Sequence, residues 1–240
     1  MHQHEYWTYW RDGSASRTEY GFWAGDSAPA LGTHFHDEGQ LTLVLAGSRK
    51  FEVDNKVIRL DAGQCLYIPA GMPHCSLPHL AVGTRCLNIY YQPGHARQQP
   101  AVLDIRQLNA QDFDVPFLLQ QMEGELASIR AGIQSASATI SLQEFRNSLA
   151  SIATIAAASG LSREAFSRKF TRDIGMSPHA YRLVGRLNAA RRQLRDGISV
   201  ADTATDFGFA DQSHFGRHFF RVFGVTPGAY RNSMRRSQTF

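Results

Sequence analysis

The sequence predicts an α+β chain of two domains, an N-terminal antiparallel β-barrel followed by an all-α C-terminal domain. Three observations predict it. Residues 20 to 92 alternate apolar and polar side chains in short runs. A helix, turn and helix pattern is written twice in the C-terminal part. Lys, Arg, Asp and Glu number 10 basic against 14 acidic in residues 1–139, but 15 basic against 7 acidic in residues 140–240. At 240 residues, with 43% hydrophobic and 19% charged side chains, the chain suits two globular domains and excludes a disordered one.

From the N-terminus, "MHQHEYWTYW" lacks the basic region and apolar stretch of a secretory signal, and no run of eighteen apolar residues follows. A cytoplasmic location without a membrane partner is expected, on the nucleoid when DNA is bound. Cys65, Cys75 and Cys86 are odd in number and form no C-x-x-C pair, so neither a disulfide framework nor a zinc finger is implied.

The runs "QLTLVLAG", "RKFEVD", "KVIRL" and "CLYIPA" are punctuated by Gly, Asp-Asn and Pro, the spacing of a sandwich or barrel. "HFHDEGQLTLVLAG" holds His34, His36, Gln40 and Gly47; "GQCLYIPAGMPH" holds Gly63, Pro69, Gly71 and His74. Two residues apart on a strand, His34 and His36 share a face, where His74 can join them. The fragments resemble the two motifs of the cupin fold, a double-stranded β-helix, over residues 1–105. In metal-binding cupins an acidic residue stands where this chain has Gln40, and the usual leading glycine is here Ala28. Three imidazoles suit Zn, Fe, Ni or Cu, so His34, His36 and His74 are the candidate ligands of a possible divalent metal. His34, His36, Gln40, His74, Trp23 and Tyr67 are the candidate effector-binding residues.

Residues 106–147 turn helical, with Phe117, Met122, Leu126 and Ile129 as a buried face, and end in the small polar stretch "GIQSASATIS". They are expected to supply a dimerisation helix or a cover for the barrel.

In residues 148–240, sliding the chain by forty-nine aligns Phe166, Arg168, Phe170 and Gly175 with Phe215, Arg217, Phe219 and Gly224. Two copies are too few for a solenoid and suit a duplicated binding module. Ser162, Ser177, Ser199 and Asp211 are placed to cap helices, Gly160 and Gly208 to end them, and Pro178 to open one. Phe166 and Phe170, and Phe215 and Phe219, lie at i and i+4 and should be buried. That leaves Glu164, Ser167, Arg168 and Thr171 outward in the first unit, and Ser213, Gly216 and Arg217 in the second, with Gln212 and His214 near the helix start. Arg can pair with guanine, Gln with adenine, and Glu with cytosine. Between the units, Leu183, Leu187, Ala190 and Leu194 form one apolar stripe, leaving Arg186, Arg191, Arg192 and Arg195 to the remaining surface. Arg186, Arg191, Arg192 and Lys169 are candidate phosphate contacts. Gly216 is costly in a helix, a cost offset either by close approach of DNA or by tight packing.

Residues from about Ser148 to Asn232, above all "GFADQSHFGRHFFRVFGVTPGAYR", resemble the DNA-binding domain of the AraC/XylS family of transcription regulators. The resemblance puts base contacts at Glu164, Ser167, Arg168, Gln212, His214 and Arg217. It implies a non-enzymatic regulator with double-stranded DNA and a small-molecule effector as partners, a homodimer, and RNA polymerase as a further partner if it activates. The competing expectation is a metal-dependent cupin enzyme, dioxygenase-like, or a metal sensor, fused to a DNA-binding domain.

Overall fold

The computed structural model describes residues 6–11, 13, 16–28, 31–92, 99–105 and 142–236. The expected dimerisation helix, with Phe117, Met122, Leu126 and Ile129, falls in 106–141 and lies outside the described residues.

Among the described residues of the N-terminal part there are ten strands: β1 (Tyr6–Trp10), β2 (Glu19–Ala28), β3 (Leu31–His34), β4 (Gly39–Ala46), β5 (Ser48–Val53), β6 (Lys56–Asp61), β7 (Gln64–Ile68), β8 (His74–Leu77), β9 (His79–Tyr91) and β10 (Ala101–Asp104). They build a six-stranded sheet in the order β1-β2-β9-β4-β7-β10 and a four-stranded sheet in the order β3-β8-β5-β6. Between the sheets Val44, Phe51, Val53, Leu60, Leu66, Ile68 and Cys86 pack into one core. The opposite face of the larger sheet carries a second cluster with Leu41, Leu43, Tyr67 and Ile89. Register explains the division, since Gln40 pairs with Ile68 and Tyr90 while Leu41 pairs with Tyr67 and Ile89. β4 is thus buried on both sides, with Gln40, Thr42 and Val44 on one and Leu41 and Leu43 on the other, where simple alternation would leave one side wet.

Asp54 and Asn55, at φ of 52° and 58°, make the two-residue turn between β5 and β6. Gly47 joins β4 to β5 at φ +71°, and a Cβ there would lie 2.2 Å from Thr84 Oγ1 and 2.9 Å from Thr84 Cα. Gly47→Ala is therefore expected to cost more than about 1 kcal/mol, adding left-handed strain to a backbone clash. A urea unfolding curve checks this, and an unchanged midpoint would contradict it.

The C-terminal helices are α1 (Leu142–Asn147), α2 (Ile152–Ala158), α3 (Arg163–Ile174), α4 (Pro178–Arg195), α5 (Val200–Asp206), α6 (Gln212–Phe223) and α7 (Pro227–Arg236). Ser162, Ser177, Ser199 and Asp211 each accept a backbone N–H of the following turn, as their positions implied. Gly175 and Gly224 end α3 and α6 in the left-handed conformation at φ 84° and 73°. Helix α2 with α3, and α5 with α6, are the two helix-turn-helix units; α4 runs between them. Phe166, Phe170, Phe215 and Phe219 are buried as expected.

The helices do not keep a separate core. Tyr9, Phe35 and Tyr90 of the barrel belong to the same buried cluster as Phe215, Phe219, Phe223 and Tyr230. Tyr9 donates to the Phe223 carbonyl at 2.8 Å, and Asn188 on α4 donates to the Phe35 carbonyl at 2.8 Å. Arg191 on α4 is 2% exposed and forms an ion pair with the fully buried Glu19 of β2. Tyr230 donates to the same carboxylate at 2.7 Å, and Arg195 approaches it at 3.3 Å. Asp37 accepts from both Arg146 and Arg192.

Candidate nucleic-acid interface and histidine pocket

The two helices that carry the repeat present matching faces. On α3, Glu164 and Arg168 are exposed and Ser167 is half-buried; on α6, Gln212, Ser213 and Arg217 are exposed. The opposite faces hold the paired phenylalanines, so burial of the aromatics is what turns the arginines outward. Glu164 lies in the first turn of α3, where a backbone N–H and Arg163 hold its carboxyl below the usual range. The C-terminal turn of α6 packs against the barrel, Gly224 lying beside Trp7, while the outward face of its N-terminal half, with Gln212, Ser213 and Arg217, stays in solvent. That half is the part of a recognition helix that enters a major groove.

Other expected contacts are partly engaged. His214 is half-buried against Phe209, and its Nε2 lies 3.0 Å from Nε2 of His218. Lys169 is exposed and pairs with Asp173 along α3. Arg186 donates to the Phe207 carbonyl at 3.3 Å and stacks 5.1 Å from the Phe209 ring. A Cβ on Gly216 would meet only Pro227 Cδ, at 3.9 Å, so tight packing is not what that glycine serves.

Two expectations are corrected. Arg191 cannot reach a phosphate, because it is sealed between Glu19 and the rings of Tyr90 and Phe223 at 4.5 and 5.1 Å. Tyr67 cannot line the histidine pocket, because strand alternation turns it onto the outer face with Leu41 and Ile89. Arg192 keeps a half-exposed side chain, yet its guanidinium is turned to Asp37.

In the barrel the three histidines do converge. Ring centroids lie 4.9 Å apart for His34 and His36, 4.4 Å for His34 and His74, and 5.4 Å for His36 and His74. His34 Nδ1–H donates to the Gly32 carbonyl at 2.7 Å and His74 Nδ1–H to the Met72 carbonyl at 2.9 Å. Nε2 of His36 and of His74 has no hydrogen-bond partner among the described residues. Gln40 turns its amide nitrogen to Thr42 and Asn88, at 2.8 and 3.3 Å. Trp23 lies on the interior side, under the guanidinium of Arg49.

Burial keeps all three imidazoles neutral. It lowers His34 to about 3, helped by His74, and lowers His74 to about 4. It also takes His36 well below the ordinary value, with His34 and Arg191 adding to the effect. The unfolded chain takes up these protons near the ordinary 6.5 and the folded chain does not. Stability is therefore full above about pH 6.5 and is lost as pH falls toward 4, at up to about 1.4 kcal/mol per pH unit for each ring. Urea midpoints measured near pH 7 and near pH 5 check this; equal midpoints in the wild type and in His74→Gln would refute it.

The trio offers three ligand atoms within 4.8 Å of one another. His34 and His74 fit a divalent cation, since carbonyls hold their Nδ1–H and free Nε2 to coordinate. His36 does not fit as it stands. Its Nδ1 accepts from Arg191 Nη1 at 3.3 Å, which puts its own proton on Nε2, and a guanidinium beside the ring opposes a second cation.

Three residues important to this arrangement went unread in the sequence. Glu19 and Asp37 look like ordinary surface acids, because their arginine partners lie more than a hundred residues away. Arg49 carried a readable signal: in "RKFEVD" it shares a strand face with the apolar Phe51 and Val53.

Fold and site together define a two-domain helix-turn-helix protein with a cupin barrel. The helix-turn-helix domain family matches residues 155–233 and the cupin domain family residues 20–76. The transcriptional activator NphR of a Rhodococcus species is 41% identical over 86 residues, 35% of this chain and 25% of NphR. A Streptomyces antibioticus protein named as an AraC-like transcription regulator is 25% identical over 200 residues, 81% of this chain and 65% of that protein. The chain thus aligns with less than two thirds of the length of these relatives. ToxT of Vibrio cholerae O395 shares the fold, with a TM-score of 0.60 at 10% identity over 91% of this chain and 98% of that one. A structure described as unsaturated fatty acid bound ToxT of strain SCE256 gives 0.58 at 12% identity over 98% and 97%. This chain therefore joins a helix-turn-helix domain to a cupin domain. No helix among the described residues is long and apolar enough to cross a membrane.

Proposed function

We propose that the protein is a sequence-specific DNA-binding regulator of transcription whose barrel senses a small-molecule effector. The observation that carries this reading is the matched exposure of Arg168 and Arg217 on two helices whose opposite faces are locked into the core. Glu164, Ser167 and Arg168 read one stretch of major groove, and Gln212, His214 and Arg217 read the next. The regulatory names of its relatives support the assignment. Helix α4 fixes the separation of the two readers and is at the same time tied to the barrel through Asn188 and Arg191. A ligand in the barrel can therefore bias how the readers meet DNA. Homodimerisation and, for an activator, contact with RNA polymerase belong to the same proposal. Genome-wide mapping of bound DNA tests it: discrete promoter sites are expected, and uniform coverage would contradict it.

A metal-dependent enzyme or metal sensor is the second reading, favoured by the convergence of His34, His36 and His74. Metal analysis of purified protein separates the two. The Arg191 contact on His36 leads us to expect less than one equivalent of Zn, Fe, Ni or Cu, and a full equivalent lost in His74→Ala would favour the second.

A further inference from the structure

The barrel holds a buried cation that no carboxylate among the described residues neutralises. Arg49 is 2% exposed, as deeply enclosed as Arg191, yet Arg191 has Glu19 and Arg49 has nothing comparable. Its Nη2 donates to Ser76 Oγ at 2.6 Å, and its guanidinium lies 4.9 Å from the Trp23 ring and 5.3 Å from the Phe51 ring. Its Nε and Nη1 have no hydrogen-bond partner by geometry among the described residues, and the neutral Cys86 thiol is the side chain that adjoins the guanidinium otherwise. Burial lowers its pKa, with only the Cys86 thiol and the Tyr90 phenol opposing the shift, and a guanidinium remains charged in any protein setting. An unpaired charge removed from water is costly, and proteins pair such charges or place a ligand against them.

Arg49 faces a cavity of about 20 Å³, which it shares with His34, Gln40, His74, Asn88 and Val222. The cavity has two kinds of unmet polar groups. Nε–H and Nη1–H of Arg49 are donors seeking an acceptor. Oε1 of Gln40 and Nε2 of His74 are acceptors seeking a donor, because the His74 proton is held at Nδ1 by the Met72 carbonyl. A hydrocarbon satisfies neither set, and a neutral amide or sugar leaves the charge unmatched.

We propose that the barrel binds a small carboxylic acid as its anion, the carboxylate on Arg49 and a hydroxyl or amine of the same molecule on Gln40 and His74. The proposal rests on the sensor reading above and specifies its ligand class. As it stands the cavity admits about one water. A larger occupant must push back a wall, and one wall is Val222, on the helix that carries Arg217. Filling the cavity and moving the second DNA reader are then a single event.

The test is thermal unfolding of the full chain in chloride-free buffer with lactate and salicylate, their amides lactamide and salicylamide, a neutral sugar, and chloride. Carboxylates are expected to raise the midpoint in proportion to the logarithm of concentration, with the amides at least tenfold weaker. Arg49→Met should remove the response without lowering the ligand-free midpoint, and Arg49→Lys should keep part of it. Equal response to acid and amide, a response to chloride alone, or a carboxylate response retained in Arg49→Met would overturn the proposal. Stabilisation by the sugar alone would overturn it while leaving the sensor reading intact; no response to any compound counts against both.

Discussion

Glu19→Ala is expected to destabilise the protein by about 3–5 kcal/mol, because it leaves the Arg191 guanidinium buried without its counter-ion. The carboxylate also accepts from Tyr230 and Arg195, so the same change strips partners from three groups around one point. The stacking of Arg191 on Tyr90 and Phe223 cannot substitute for it, since ring faces offer a cation only a fraction of what a carboxylate gives. A double variant, Glu19→Leu with Arg191→Met, is expected to recover most of the loss, because burying two apolar groups of similar size avoids the desolvation of both charges. Urea midpoints of the two variants and the wild type check this. A single variant as stable as the wild type would show that the barrel and the helices are not held together through this pair.

Arg217→Ala is expected to weaken binding at the preferred DNA site by about 1–3 kcal/mol, roughly 5- to 150-fold, and to relax discrimination at one base pair. Arg168→Ala should do the same at a different position, about one helical turn away. Neither change should alter stability by more than about 0.5 kcal/mol, because both side chains stand in solvent away from the core. Equilibrium binding to the preferred duplex and to single-base variants separates base reading from simple attraction to phosphate. Removing a phosphate contact would weaken all sequences alike and lower the salt dependence by about one unit of slope.

Much of this structure is written locally in the sequence and some of it is not. The serine and aspartate caps, the glycine stops and the phenylalanine pairs act within a few residues of themselves, so their spacing alone placed both helix-turn-helix units. His34, His36 and His74 were also legible from their spacing, although β3 ends at His34 and His36 reaches the same pocket from the loop that follows. Helix α4 was read on one face only. Leu187, Ala190 and Leu194 are fully buried as expected, but Tyr181, Val184, Asn188 and Arg191 are buried too, on a second face against the barrel. Asn188 and Arg191 look like solvent residues until the Phe35 carbonyl and Glu19 are brought to them by folding. Tyr67 failed for the converse reason. It is aromatic and close in sequence to the histidine motif, yet one step of strand register puts it on the other side of the sheet.

The central claim is that one chain holds two base-reading helices at a fixed separation. Selection of duplexes from a randomised pool by the full chain, repeated with Arg168→Ala and with Arg217→Ala, tests it directly. The expected result is a site of two short motifs centred about 10 base pairs apart, of which each variant loses a different one. Selection of no motif, or of a site that both variants read as the wild type does, would contradict it.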